Sequence, residues 1–176
     1  MTMQNSNHPS EVLYWLLREQ PRWHVGDPST TTRRLGGRTV VIIGVNAISS
    51  RLAAALAAFG WKNCQVVDEA RLRNPHFIDG DGRLLAGEWP TELNSVVDHK
   101  DWIGQIDLAS LGCVVACSDC GEIGALRDWN RFCVERKIRF FPLLLQNLIG
   151  NVGPFVMPGE TACYECVHGR QNSHLE

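Results

Sequence analysis

Thr39-Val40-Val41-Ile42-Ile43-Gly44-Val45-Asn46-Ala47-Ile48-Ser49-Ser50 opens with five β-branched residues in a row. No polar residue alternates with them, which is the pattern of a strand covered on both faces. Gly44 ends the run. Ile48, Leu52, Ala55, Leu56 and Phe59 then recur at helical spacing, and Gly60 is a natural helix stop. Gln65-Val66-Val67 reads as a second short strand ending at Asp68. Strand, glycine turn, helix and strand within about 30 residues form a βαβ unit.

The same alternation continues outward from this unit. Residues 111–116 read as another buried strand, ending at Cys117-Ser118-Asp119. Residues 122–136 have helical periodicity, with Ile123, Leu126, Trp129 and Cys133 inward. Residues 140–145 form a further strand, and 148–157, broken by Gly150, Gly153 and Pro154, an added strand or hairpin arm. Gly80-Asp81-Gly82 marks a turn, and 95–98 a short strand. The expected class is therefore α/β: a mostly parallel, Rossmann-like sheet with helices on both faces. Upstream, Ser10 caps a short helix ending before Pro21, with Leu13, Trp15 and Leu16 available to dock on a partner or on the chain's own sheet. The organisation expected is an N-terminal helix and linker over 1–36, then one α/β domain over 37–176 that closes in a C-x-x-C knuckle.

Composition narrows the function. Apolar residues make up 44% and charged residues 20% of the 176, which excludes a disordered or fibrous chain. A net charge of −2 gives no electrostatic argument for nucleic acid or an anionic membrane. The start lacks a basic patch followed by an apolar run, and no stretch is apolar enough to span a bilayer. A cytoplasmic protein with mostly reduced thiols is expected, and its seven cysteines are too odd a set for a disulfide framework.

The turn after the first strand is a candidate nucleotide site. A dinucleotide fingerprint has glycine at three positions, and here they are Gly44, Asn46 and Ser49. Asn46 tolerates the left-handed conformation but brings a side chain to where a pyrophosphate would lie. Ser49 is small enough for close helix–sheet packing. Asp68 falls 24 residues after Gly44, near the spacing of a ribose-binding acid. The helix N-terminus offers N–H groups to a phosphate. The alternative is the plain first turn of an α/β sheet, with Asn46 a left-handed turn residue and Asp68 a solvated strand-end acid.

Four cysteines form two C-x-x-C pairs, Cys117/Cys120 and Cys163/Cys166. Two sulfurs on one tight turn suit a tetrahedral zinc ion. Cys163-Tyr164-Glu165-Cys166 follows a Pro-Gly turn and reads as a zinc half-site, the alternative being two free thiols. The remaining ligands would come from Cys117/Cys120, His168, His174 or another chain. Cys117/Cys120, at a strand end beside Asp119, read instead as core or crevice thiols. A thioredoxin-like redox pair at a helix start is not expected from either motif. Cys64, Cys113 and Cys133 read as core.

Residues 39–68, from Val40-Val41-Ile42-Ile43-Gly44 through Asn46-Ala47-Ile48-Ser49-Ser50-Arg51-Leu52-Ala53 to Val66-Val67-Asp68, resemble the ThiF/MoeB-like fold of ubiquitin-activating-type adenylyltransferases. Cys117-Ser118-Asp119 and Val152-Gly153-Pro154-Phe155-Val156-Met157-Pro158-Gly159-Glu160-Thr161-Ala162-Cys163-Tyr164-Glu165-Cys166 resemble the ThiF-like proteins of azole-containing ribosomal peptide (bacteriocin) biosynthesis. The likeness spans roughly 36–172. It implies a partner of a YcaO-type enzyme, which uses ATP to cyclise Cys, Ser or Thr of a precursor peptide. The ThiF-like partner delivers that peptide, commonly through an N-terminal winged-helix module, and often carries a tetracysteine zinc site. The likeness also places Asp119 near the nucleotide's metal ion.

The departures from the pattern shape the expectation. The 36 residues ahead of the domain are too few for the full leader-binding module, and the ten after Cys166 hold no second C-x-x-C. Ala70 stands where the adenylating enzymes carry a second acid, Asn74 is followed by Pro75 and His76 rather than x-x-Arg-Gln, and no triphosphate-holding lysine or arginine is recognisable. The expectation is a shortened ThiF-like scaffold that binds a YcaO enzyme and a precursor peptide, and in some settings a second copy, without its own ATP chemistry. The alternative is an ATP-dependent adenylyltransferase. In it, backbone at 44–49 would cradle phosphate, Asp68 would hold ribose and Asp119 would bind Mg²⁺.

Overall fold

A computed structural model describes residues 37–59, 61, 63–90, 93 and 96–173. The expected helix carrying Leu13, Trp15 and Leu16 lies outside the described residues, as does His174. Six strands follow in chain order: β1 (Thr39–Ile43), β2 (Cys64–Asp68), β3 (Val97–Asp98), β4 (Leu111–Ser118), β5 (Phe140–Gln146) and β6 (Ile149–Val152). They form one sheet in the order β3-β2-β1-β4-β5-β6. The first five are parallel, and β6 returns antiparallel to β5 along the edge.

Four helices accompany them: α1 (Ala47–Ala58), α2 (His99–Gln105), α3 (Ile123–Glu135) and α4 (Tyr164–Ser173). Strand side chains alternate between two cores, as the pleat requires. Val40 and Ile42 face a core shared with Ala53 of α1, Val66, Trp89 and Val115. Val41 and Ile43 face a core shared with Trp102 of α2 and Leu126, Trp129 and Cys133 of α3. Both faces of the parallel strands are thus covered, so β1 carries no polar alternation.

The expected elements match these to within a residue or two at each end, except that the arm expected over 148–157 is only β6 (Ile149–Val152) and that α2 was not expected. Two further details differ. The buried side of α1 is Ser49, Ser50 and Ala53, with Ile48, Leu52 and Leu56 half-buried, whereas Ala55 and Phe59 are exposed. Small residues let α1 lie close to the sheet, so its larger apolar side chains pack at the flank. The expected strand over 95–98 is only the two-residue β3.

The strand order reverses between β1 and β4. The crevice beyond the carboxyl ends of these two strands is where open α/β sheets hold their ligands.

Candidate functional site

Gly44 sits at the floor of that crevice with φ +102°, a conformation that disfavours any side chain. A Cβ there would lie 2.7 Å from the carbonyl oxygen of Cys117 and 3.0 Å from Leu72 Cβ. The glycine is therefore needed for close approach of β1, β4 and the segment after β2.

Asn46 is not the left-handed turn residue the sequence suggests. Its backbone is extended, with φ −158° and ψ −178°, and it is the N-cap of α1. Its side chain is wholly buried. The Oδ1 atom accepts the N–H groups of Ile48 and Ser49, each at 3.1 Å. The Nδ2 amide donates to the carbonyls of Leu72 at 2.9 Å and Cys117 at 2.8 Å. Ser49 completes a capping box by accepting the Asn46 N–H at 2.9 Å. The carboxamide therefore points inward and ties three segments together, rather than standing in the path of a pyrophosphate.

Asp119, one residue beyond β4, closes the same turn from above. Its Oδ2 accepts the backbone N–H of Ala47 at 3.2 Å and the Nδ2 amide of Asn74 at 3.0 Å. Asn74 is held in turn by its own N–H on the Val45 carbonyl at 2.7 Å and by accepting the His76 N–H at 3.1 Å. The first N–H groups of α1 thus all have partners within the chain. The position where a phosphate would meet the helix N-terminus is held by a carboxylate, which favours that end electrostatically just as an anion would.

Asp68 ends β2, but it is not the solvated acid of the plain-turn alternative: it is only 7% exposed, because Arg73 covers and pairs it. Arg73 grips it through two hydrogen bonds, one of them Nε to Oδ1 at 2.9 Å. The carboxylate pulls the Arg73 pKa further up. Glu69, also buried, accepts Arg71 Nε at 3.2 Å, and Arg71 reaches on to Asp128 at 2.7 Å. The structure therefore brings Asn46 and Asp119 onto one helix N-terminus, with Gly44 packed beside the Asn46 amide and Asp68 at the end of the neighbouring strand, already paired. Sequence reasoning assigned no role to Asn74 or Arg73. The signal was their place within six residues of Asp68, in the segment that follows a βαβ acid.

These residues do not fit a nucleotide as they stand. Phosphate would have to displace Asp119 from Ala47, and a ribose hydroxyl would compete with Arg73 for Asp68.

Cys163 immediately precedes α4 and Cys166 lies in its first turn. Their sulfurs are 3.4 Å apart. Two sulfurs on one zinc ion stand about 3.8 Å apart, given Zn–S bonds of about 2.3 Å and tetrahedral angles, so the pair fits two corners of a zinc site. Partial burial pushes the Cys163 thiol up, but hydrogen bonding around Cys166, Glu165 and Asn130 outweighs it and leaves the thiol below its ordinary value. Among the described residues no third Cys, His, Asp or Glu joins the pair to complete a metal cluster. His168 packs edge-to-face on Tyr164, with ring centroids 4.4 Å apart. Cys117 is buried in β4, where desolvation raises its thiol pKa, and Cys120 is exposed beside Asp119. Cys133 is fully buried in the Val41/Ile43 core, and Cys64 and Cys113 flank the Val40/Ile42 core half-buried.

The fold is mostly parallel α/β of the ThiF/MoeB-like kind, as superposition on solved structures of MccB shows. E. coli MccB with AMPCPP and MccA superposes with a TM-score of 0.64 at 18% identity, over 94% of this chain and 51% of that one. The microcin C7 biosynthetic enzyme MccB with N-formylated MccA gives 0.64 at 20% identity, over 93% and 51%. E. coli MccB alone gives 0.58 at 21% identity, over 80% and 44%. The chain spans about half the length of these proteins. By sequence, no family model and no curated protein matches it. No helix among the described residues is long and apolar enough to cross a membrane.

Proposed function

We propose that the chain is a ThiF-like scaffold in the maturation of a ribosomally made peptide. It presents the precursor peptide to a YcaO-type cyclodehydratase and performs no nucleotide chemistry of its own. The observation that carries this reading is the Asp119 carboxylate on the Ala47 N–H. A chain that spends its helix N-terminus on its own side chain has no ready phosphate cradle. The likeness to MccB, solved with MccA, supports a peptide as the cargo.

A second reading, an ATP-dependent adenylyltransferase acting on a peptide or carrier carboxylate, draws on MccB structures solved with AMPCPP and with ATP. It requires Asp119 to leave Ala47 for a magnesium ion and Asp68 to leave Arg73 for ribose. The Cys163/Cys166 pair is proposed as half of a zinc site completed by ligands outside the described residues or by another chain.

The test is precursor cyclisation by the YcaO enzyme with and without this chain. The scaffold reading expects azoline formation to rise when the chain is added. An unchanged rate, with no co-purification of enzyme or precursor, would contradict it.

A further inference from the structure

A cavity of about 220 Å³ opens at the opposite end of the sheet from the Gly44 crevice, beside the amino ends of β1, β4 and β5. Its floor is Leu111, Gly112 and Ile138, and its walls carry Arg38, Arg136, Lys137 and Arg139. Glu160 is the one carboxylate in the lining. The chain as a whole has a net charge of −2, so four cations around one small cavity stand against the overall balance.

The end of α3 accounts for two of them. Arg136 is its C-cap, and Lys137 follows with φ 57°, where cations complement the helix dipole. The helix end does not account for Arg38, which precedes β1, or Arg139, which precedes β5. Among the described residues, Arg38, Lys137 and Arg139 have no carboxylate within 4.0 Å, and Arg136 has only Glu135 at 3.9 Å.

All four cations are exposed at the surface, and contacts hold two of them. Arg38 donates one terminal nitrogen to the carbonyls of Ala109 and Leu111 at 3.4 Å, leaving its other N–H groups free of those bonds. The Arg136 guanidinium lies 4.0 Å from the Phe132 ring centroid. At Gly112 a Cβ would approach Arg38 Cβ to 3.0 Å, so the glycine lets the Arg38 stem lie flat on the floor.

We infer that this cavity binds a small multiply charged anion of the phosphate class. Three arginines offer planar N–H pairs to phosphate oxygens, and Lys137 adds a point charge. The site is separate from the Asp119 crevice and does not rest on the scaffold reading. The phosphate is either free or borne on a small ester, and the probes below separate the two.

The test is calorimetric titration of the full chain with inorganic phosphate, pyrophosphate and AMP at low salt, repeated in 0.5 M chloride. Saturable 1:1 binding by at least one probe is expected, weakened at high salt. The tightest probe identifies the free or ester-borne form. Arg139→Gln should weaken binding by about tenfold or more, the scale of one charge-assisted hydrogen bond. Glu160→Gln should tighten it, a change opposite to what general destabilisation would produce. Asp119→Asn should leave it unchanged. No binding of any probe at 10 mM, or binding that ignores both Arg139→Gln and Glu160→Gln, would overturn the inference. Tighter binding in Asp119→Asn, whose carboxylate a crevice-bound phosphate would have to displace, would place the anion in the other crevice and overturn it equally.

Discussion

The Oδ2 oxygen of Asp119 accepts the N–H of Ala47, the first residue of α1, at 3.2 Å. Asn46 caps Ile48 and Ser49 from below while Asp119 caps Ala47 from above, so one helix end is satisfied by two side chains from different strand ends. Removing the second cap should be felt in stability. Asp119→Ala is expected to cost about 1–2 kcal/mol in urea unfolding, and Asp119→Asn distinctly less, because an amide oxygen still accepts the bond. Equal losses for the two variants would mean that the carboxylate's contribution lies elsewhere.

Gly44→Ala should be among the most damaging single changes. The new methyl would lie 2.7 Å from the Cys117 carbonyl at a residue whose φ is +102°. Backbone strain and overpacking together predict a loss of about 3 kcal/mol or more. A thermal or urea transition close to wild type would contradict the geometry at this turn.

Arg73→Gln leaves Asp68 buried with a weaker partner. The Asp68 side chain is 9% exposed and that of Arg73 40%, so solvent screens part of the interaction. A loss of about 1–2 kcal/mol is expected. Reversal by the further change Asp68→Asn, which removes the stranded charge, would identify the pair as the cause.

Thiol reactivity should separate the cysteines by environment. Folding lowers the Cys163 thiol, whereas burial pushes Cys64 up to about 11 and Cys113 up to about 12. Cys163 should therefore be alkylated by iodoacetamide in the native protein near pH 7, below the value of about 8.5 for a free thiol. Cys64 and Cys113 should react only on unfolding. By linkage, the thiolate of Cys163 stabilises the fold above that free value, and the contribution is lost as pH falls through the folded one. Mapping alkylated peptides against pH checks both statements. If zinc binds, Cys163 should be protected and released by a chelator.

The α/β framework was legible because β1, α1, β4 and α3 each carry a periodicity that only one element satisfies. Five β-branched residues from Thr39 to Ile43 cannot be a half-exposed strand. The sequence was less informative at α1, where Ala55 and Phe59 fit a helical stripe on paper. The stripe actually buried runs through Ser49, Ser50 and Ala53, since close packing on a sheet selects for small size over hydrophobicity. At the site, Gly44, Asn46, Asp68 and Asp119 were each found by position, but what they touch was not. Asn46 read as a left-handed turn residue because the residue type permits it. That its amide reaches Leu72 and Cys117 depends on contacts 26 and 71 residues away along the chain, which no local pattern encodes. Asn74, whose partner Asp119 lies 45 residues on, was hidden for the same reason, whereas Arg73 pairs with Asp68 only five residues back.

Calorimetric titration of the wild-type chain with Mg·ATP tests the central claim most directly. If Asp119 and Arg73 fill the crevice as described, no binding tighter than about millimolar is expected, roughly −4 kcal/mol. A micromolar dissociation constant, accompanied by pyrophosphate exchange in the presence of a peptide, would contradict the scaffold account and establish the adenylyltransferase in its place.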